Sequence, residues 1–176
     1  MTRGINRAEP QALYEASSKC SKCIFISHKS EDAAAAKTVA DHIRDAGIDV
    51  YLDIYDTGLQ KATQENDASS IVRYIERALT TSTNILVLIT EKTQLSWWVP
   101  YEIGYSKMGS KGIASLLLKN AYSFPDYLKI ERQLRNKGDL DAYIAEVSRS
   151  ANTYGYLKES QISNLPSGKL LDYIRG

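Results

Sequence analysis

The chain has 176 residues, enough for one domain around one sizeable core. Its 22 Lys and Arg nearly balance 21 Asp and Glu, a formal charge of +1, which leaves no electrostatic case for a dedicated nucleic-acid binder. The longest apolar runs, Ile85 to Ile89 and Ile113 to Leu118, fall far short of the roughly 20 residues that cross a bilayer, so no membrane contact is expected.

Residues 1–22 are polar and mixed in charge, without the apolar centre of a secretion signal, and read as a loose or helical leader. Cys20 and Cys23 form a single C-x-x-C. A tetrahedral zinc site wants four ligands, and with no second pair and only two His the reading is two reduced thiols of a cytoplasmic protein and no metal. Cys23-Ile24-Phe25-Ile26-Ser27 is a continuous apolar run, as expected of a strand buried on both faces. His28 to Asp32 is turn-like, with Ser30 as N-cap. Ala36, Val39, Ala40 and Ile43 then mark a helix, which Gly47 ends. His42, between Asp41 and Asp45, reads as a solvated face residue.

Ile48 to Leu52 is a second strand. Asp53 to Asp67 is polar and without clear periodicity, and so long a loop suggests a lid or binding segment. Ser69 or Ser70 is placed to cap a helix with Ile71, Ile75, Ala78 and Leu79 inward. Asn84 to Thr90 is the clearest buried strand. After it comes Ser96-Trp97-Trp98-Val99-Pro100-Tyr101-Glu102-Ile103-Gly104. Pro100 is tolerated only in a first turn, so the helix begins near Trp97, and Trp98 and Glu102 share one face. Ile113 to Leu118 is a fourth strand. Beyond it Leu140, Tyr143, Ile144 and Val147 repeat at helical spacing, and a short closing helix follows Leu165-Pro166-Ser167. Such alternation predicts an α/β fold, a parallel sheet with helices on both faces and a helical C-terminal extension. The leader spans 1–22 and a single domain 23–176, with its core at 23–118 and a helical part at 119–176.

Ligands of open parallel sheets bind beyond the carboxyl ends of the strands. Here those ends are Ser27 to Ser30, Asp53 onward, and Thr90 to Glu102. No G-x-G-x-x-G follows a strand and no G-x-x-x-x-G-K-[ST] occurs, which argues against a Rossmann-type bound redox dinucleotide and a P-loop hydrolase. A Ser27-His28-Asp53 triad is conceivable, but no nucleophile elbow accompanies it.

Three blocks of this sequence, Ile24 to Asp32, Gly47 to Asp53 and Trp98 to Gly104, resemble the bacterial branch of the TIR (Toll/interleukin-1 receptor) domain family, in order and spacing, over about Cys23 to Leu118. The resemblance implies a flavodoxin-like sheet and two classes of function. Some TIR domains only self-associate. Others cleave NAD at the nicotinamide–ribose bond, giving nicotinamide and ADP-ribose or a cyclic isomer. In the enzymatic group the glutamate of W-x-x-x-E is the catalytic residue, here Glu102 beside Trp98. The Arg-Asp-x-x-Pro-Gly pattern of animal adaptors is missing after the second strand. The implied reading is a cytoplasmic NAD glycohydrolase or cyclase in antiviral defence. It takes NAD as substrate without a cofactor, self-associates through TIR–TIR contacts and signals to an effector that senses a nucleotide product. The alternatives are a non-catalytic interaction module and a nucleoside deoxyribosyltransferase.

A single carboxylate is expected to be enough to break this bond. Nicotinamide leaves a pyridinium as a neutral base, so no general acid is required, and Glu102 can face the positive charge that develops on the ribose. It is expected to be ionised near neutral pH, an unperturbed glutamate titrating at about 4.3. Trp97 or Trp98 is expected to supply an aromatic wall. Lys29, with backbone amides after Ser27 and His28, is expected to meet a phosphate, and Asp53 to hydrogen-bond a ribose or order the loop.

Overall fold

The apolar run Cys23–Ser27 forms strand β1, buried along its whole length. The structure, a computed structural model, describes residues 3–10, 22–149 and 158–176. β1 lies between β2 (Asp49–Tyr51) and β3 (Asn84–Ile89), and β4 (Gly112–Leu117) continues beyond β3. A fifth strand, β5 (Arg132–Leu134), completes the order β2-β1-β3-β4-β5, every neighbour parallel. The sequence reading has four strands and a purely helical C-terminal part. β5 escapes it because Glu131-Arg132-Gln133-Leu134-Arg135 offers one apolar residue, and polar side chains of this kind suit an edge strand.

Alternation along the strands sorts the core into two layers. Ile24 and Ile26 of β1, with Leu86, Leu88, Ala114 and Leu116, pack against α1 (Ala33–Asp45), α5 (Lys137–Arg149), α6 (Glu159–Ser163) and α7 (Leu170–Tyr173). Cys23 and Phe25, with Ile85, Val87 and Ile89, pack against α3 (Ala68–Thr81) and α4 (Trp98–Met108). The flavodoxin-like arrangement read from the sequence is therefore the observed one. The Cys23 thiol is buried and desolvation pushes it up to about 11, which keeps it protonated and inert. Cys20, its C-x-x-C partner, lies outside the described residues.

Several local expectations change. Residues 53–67 are not a loop: a 3-10 turn at Asp53–Tyr55 leads into the two-turn helix α2 (Thr57–Gln64), whose start is capped by Asp56 accepting from the Leu59 amide at 2.9 Å. With only Leu59 and Ala62 buried, its sequence shows too little periodicity to betray it. Asp67, not Ser69 or Ser70, caps α3. Ser30 opens a 3-10 turn and does not cap α1. Gly47 ends α1 as expected, with φ at 82°. Of the segment read as a leader, residues 3–10 lie against β2. Val50 donates to Ile5 and accepts from Arg7, Asn6 bridges Val50 in parallel, and the Arg7 guanidinium pairs with Asp49 at 2.9 Å. Gly4 is needed there, because a Cβ would fall 2.0 Å from the Ile48 carbonyl oxygen.

His42 is the clearest reversal. It is buried, not solvated: its Nε2 lies 2.7 Å from Asp141 on α5, and Lys137 holds the other Asp141 oxygen at 2.6 Å. The sequence of α1 alone cannot show that α5 lies across it. His42→Ala removes a hydrogen-bonded buried group and should cost about 2 kcal/mol, read as a lower urea midpoint at unchanged slope.

Candidate active site

Parity along β1 decides where Ser27 points. Cys23 and Phe25 face α4, so Ser27 does too. On α4 the buried positions are Val99, Glu102, Ile103 and Ser106, the i, i+3, i+4, i+7 stripe of an inward face. The helix begins at Trp98, and Pro100 falls in its first turn. Glu102 thus occupies a core position, 5% exposed, and Ser27 Oγ donates to its Oε2 at 2.5 Å.

This burial overturns the expectation of an ordinary acid. Desolvation, reinforced by the negative charge of Asp53 and only partly opposed by the Ser27 hydrogen bond, pushes Glu102 up to about 8. In the ligand-free protein the carboxyl is mostly protonated at neutral pH.

A pocket of about 390 Å³ opens here, at the carboxyl ends of β1 and β2, next to the point where the strand order reverses between β1 and β3. Glu102 and Trp98 of α4, His28 and Lys29 after β1, and Asp53 after β2 all line it. Five of the residues singled out in the sequence therefore meet in one cavity. Ser27 does not line it and reaches the site only through Glu102. Trp97 does not join them: it is 91% exposed at the start of α4, and the aromatic wall is Trp98 alone, set edge-on to Tyr101 at 6.1 Å. A Ser-His-Asp triad is not formed either, since Ser27 donates to Glu102 and not to His28. His28 instead turns Nδ1 toward the Ile26 carbonyl at 3.3 Å and Asp53 Oδ1 at 3.7 Å. Burial raises Asp53 above the usual aspartate range, with His28 opposing.

The sequence reading missed the far wall. Leu59, Gln60, Thr63 and Gln64 come from α2, and Ile71 and Ile75 from α3. The inward placement of Ile71 and Ile75 was legible from their spacing, and the unusual length of the polar stretch was the one available signal for α2.

A family model described as "TIR domain" matches residues 24–149, from β1 to the end of α5. The chain belongs to the TIR domain family. The match carries the family well past Leu118, the limit set by the sequence blocks. A curated relative from Bacillus cereus (strain MSX-D12), named probable 3′ cyclic ADP-D-ribose synthase ThsB′, is 31% identical over 101 residues, 56% of this chain and 51% of the relative. The chain thus spans about half the length of the curated relative it matches. Among solved structures, the TIR domain of the Toll-related receptor TRR-2 from Hydra magnipapillata aligns with a TM-score of 0.55 at 15% identity, covering 74% of this chain and 98% of that one. That likeness extends the TIR fold assignment and nothing more. Among the described residues no helix is long and apolar enough to cross a membrane.

Proposed function

We propose that this TIR domain cleaves NAD at the nicotinamide–ribose bond, releasing nicotinamide and ADP-ribose or a cyclic ADP-ribose isomer, with Glu102 as the catalytic residue. The observation that carries the reading is a buried carboxyl on the wall of a pocket of mixed polar and apolar lining, held by Ser27 and adjoining Trp98. Burial of a carboxyl costs stability unless a cation meets it, and the pyridinium and the nascent ribosyl cation are such partners. A cation in the pocket lowers the Glu102 pKa and ionises it on binding. The relative's name, which specifies a cyclic ADP-ribose product, supports the same bond being broken here.

The volume of about 390 Å³ suits a nicotinamide riboside half, and Lys29, also on the pocket lining, is placed to meet a phosphate. No bound cofactor enters the scheme; NAD is consumed. By the same reading the protein works in the cytoplasm in antiviral defence, self-associates through TIR–TIR contacts, and passes a nucleotide product to an effector. The exposed Leu95 and Trp97 beside the site give such contacts an apolar footing.

Incubation with NAD and identification of products by mass tests the reading. Free nicotinamide with ADP-ribose, or with a cyclic ADP-ribose lighter than it by one water, supports it. Untouched NAD favours a purely associative module, and base exchange on a deoxynucleoside favours a deoxyribosyltransferase. Trp98→Ala should raise KM about tenfold through loss of ring contact. Trp97→Ala should leave KM unchanged, and steady-state kinetics on the two variants separate the neighbours.

A further inference from the structure

Breaking the glycosidic bond needs no acid, but completing the reaction needs a base. The C1′–N bond breaks, its electron pair leaves with nicotinamide, and an O–H group, from water or from a hydroxyl of the substrate, bonds to C1′ and must lose its proton. Four titratable side chains line the pocket: His28, Lys29, Asp53 and Glu102. Glu102 faces the cation. Lys29 carries only donors. His28 has Nδ1 turned to the Ile26 carbonyl and Asp53, and its Nε2 is enclosed, without a hydrogen-bond partner among the described residues. Asp53 alone keeps a third of its side chain open, 33%, while its Oδ1 is buried beside His28.

Resting on the NAD-cleaving reading, we propose that Asp53 is the general base that takes the proton of the attacking hydroxyl, and that His28, packed behind it, is a positioning residue. The carboxylate oxygen open to the pocket accepts the proton as the new C1′–O bond forms. His28 packs against the inner oxygen, with its Nδ1 3.7 Å away, and limits how the Asp53 carboxyl can turn; the proton then passes to solvent as the product leaves. The burial that raises Asp53 above an ordinary aspartate strengthens it as a base. Glu102 and Asp53 thereby divide the work, one meeting the cation and the other its nucleophile.

The protein and its variants, assayed with NAD, test this. Asp53→Asn should lower kcat about a hundredfold or more, while KM moves by no more than about threefold. Azide attacks without giving up a proton. It should restore nicotinamide release to Asp53→Ala, where the shortened side chain leaves room, and an azide adduct of ADP-ribose should accumulate. Glu102→Gln should not be restored. His28→Gln, which disturbs Asp53 without removing it, should fall by about tenfold and gain from azide. A merely structural Asp53 gives no azide adduct. Wild-type kcat in Asp53→Asn, or a loss in a folded Asp53→Ala that azide leaves untouched, overturns the assignment of the base alone. A wild-type protein that releases no nicotinamide overturns the underlying reading with it.

Discussion

Glu102→Gln should lower nicotinamide release about a hundredfold or more, the loss of 2.7–4 kcal/mol that accompanies removal of one well-placed electrostatic contact. The substitution is nearly isosteric, and the amide oxygen can still accept from the Ser27 hydroxyl that now meets Oε2. What disappears is the capacity to become negative opposite the ribosyl cation. Because the ribosyl cation develops only as the bond breaks, most of the loss should fall on kcat, with a smaller rise in KM from the lost contact to the bound pyridinium. Initial rates of nicotinamide formation for the two proteins check this. An active Glu102→Gln protein removes Glu102 from the chemistry.

The second large effect is on pH dependence, and it runs in opposite directions for activity and stability. Catalysis needs the carboxylate, so kcat/KM should climb about tenfold per pH unit to a plateau above about 8, where burial places Glu102 in the free protein. The kcat profile should turn at lower pH, because a bound cation eases ionisation. Stability behaves inversely. The folded protein holds the Glu102 proton up to about pH 8 while an unfolded glutamate releases it near 4.5, so between those values the native state binds more protons and its stability falls as pH rises. Each pH unit in that window is worth about 1.4 kcal/mol. Glu102→Gln escapes this loss. Its melting temperature should match wild type near pH 4.5 and exceed it by on the order of 10 °C at pH 8, at roughly 2–4 °C per kcal/mol for a chain of this size. Equal melting temperatures across the range would show that the carboxyl is not held dry. Asp53 titrates beside it, so repeating the comparison in an Asp53→Asn background isolates the Glu102 contribution.

The parts of this fold that depend on local pattern were legible. β1, β3 and β4 are apolar runs with turn residues around them, and α1, α3 and α5 carry their inward residues at helical spacing. What escaped depends on neighbours distant in sequence. His42 is buried by α5, from which Asp141 comes 99 residues later. β5 is set by the β4 edge rather than by its own side chains. α2 is held by Asp56 and by packing on α3, where a Cβ at Gly58 would meet the Tyr74 ring at 2.6 Å. The site followed the same rule. Strand ends named its members, and the buried stripe Val99–Glu102–Ile103–Ser106 shows that the acid, expected to be an ordinary ionised one, is buried. Val99 and Ile103 flank Glu102 at core spacing, so the sequence did contain that signal.

Residues 3–10 occupy the outer rim of β2, where Arg7 clamps Asp49 and the chain supplies both hydrogen bonds of Val50. Among the described residues, the sheet's one unoccupied margin is then β5, three residues long. Uncontrolled polymerisation through backbone pairing requires two open margins, one to offer and one to receive. A truncation starting after residue 10 would free the second, and such a protein should precipitate sooner than the untruncated chain when the turbidity of the two is compared.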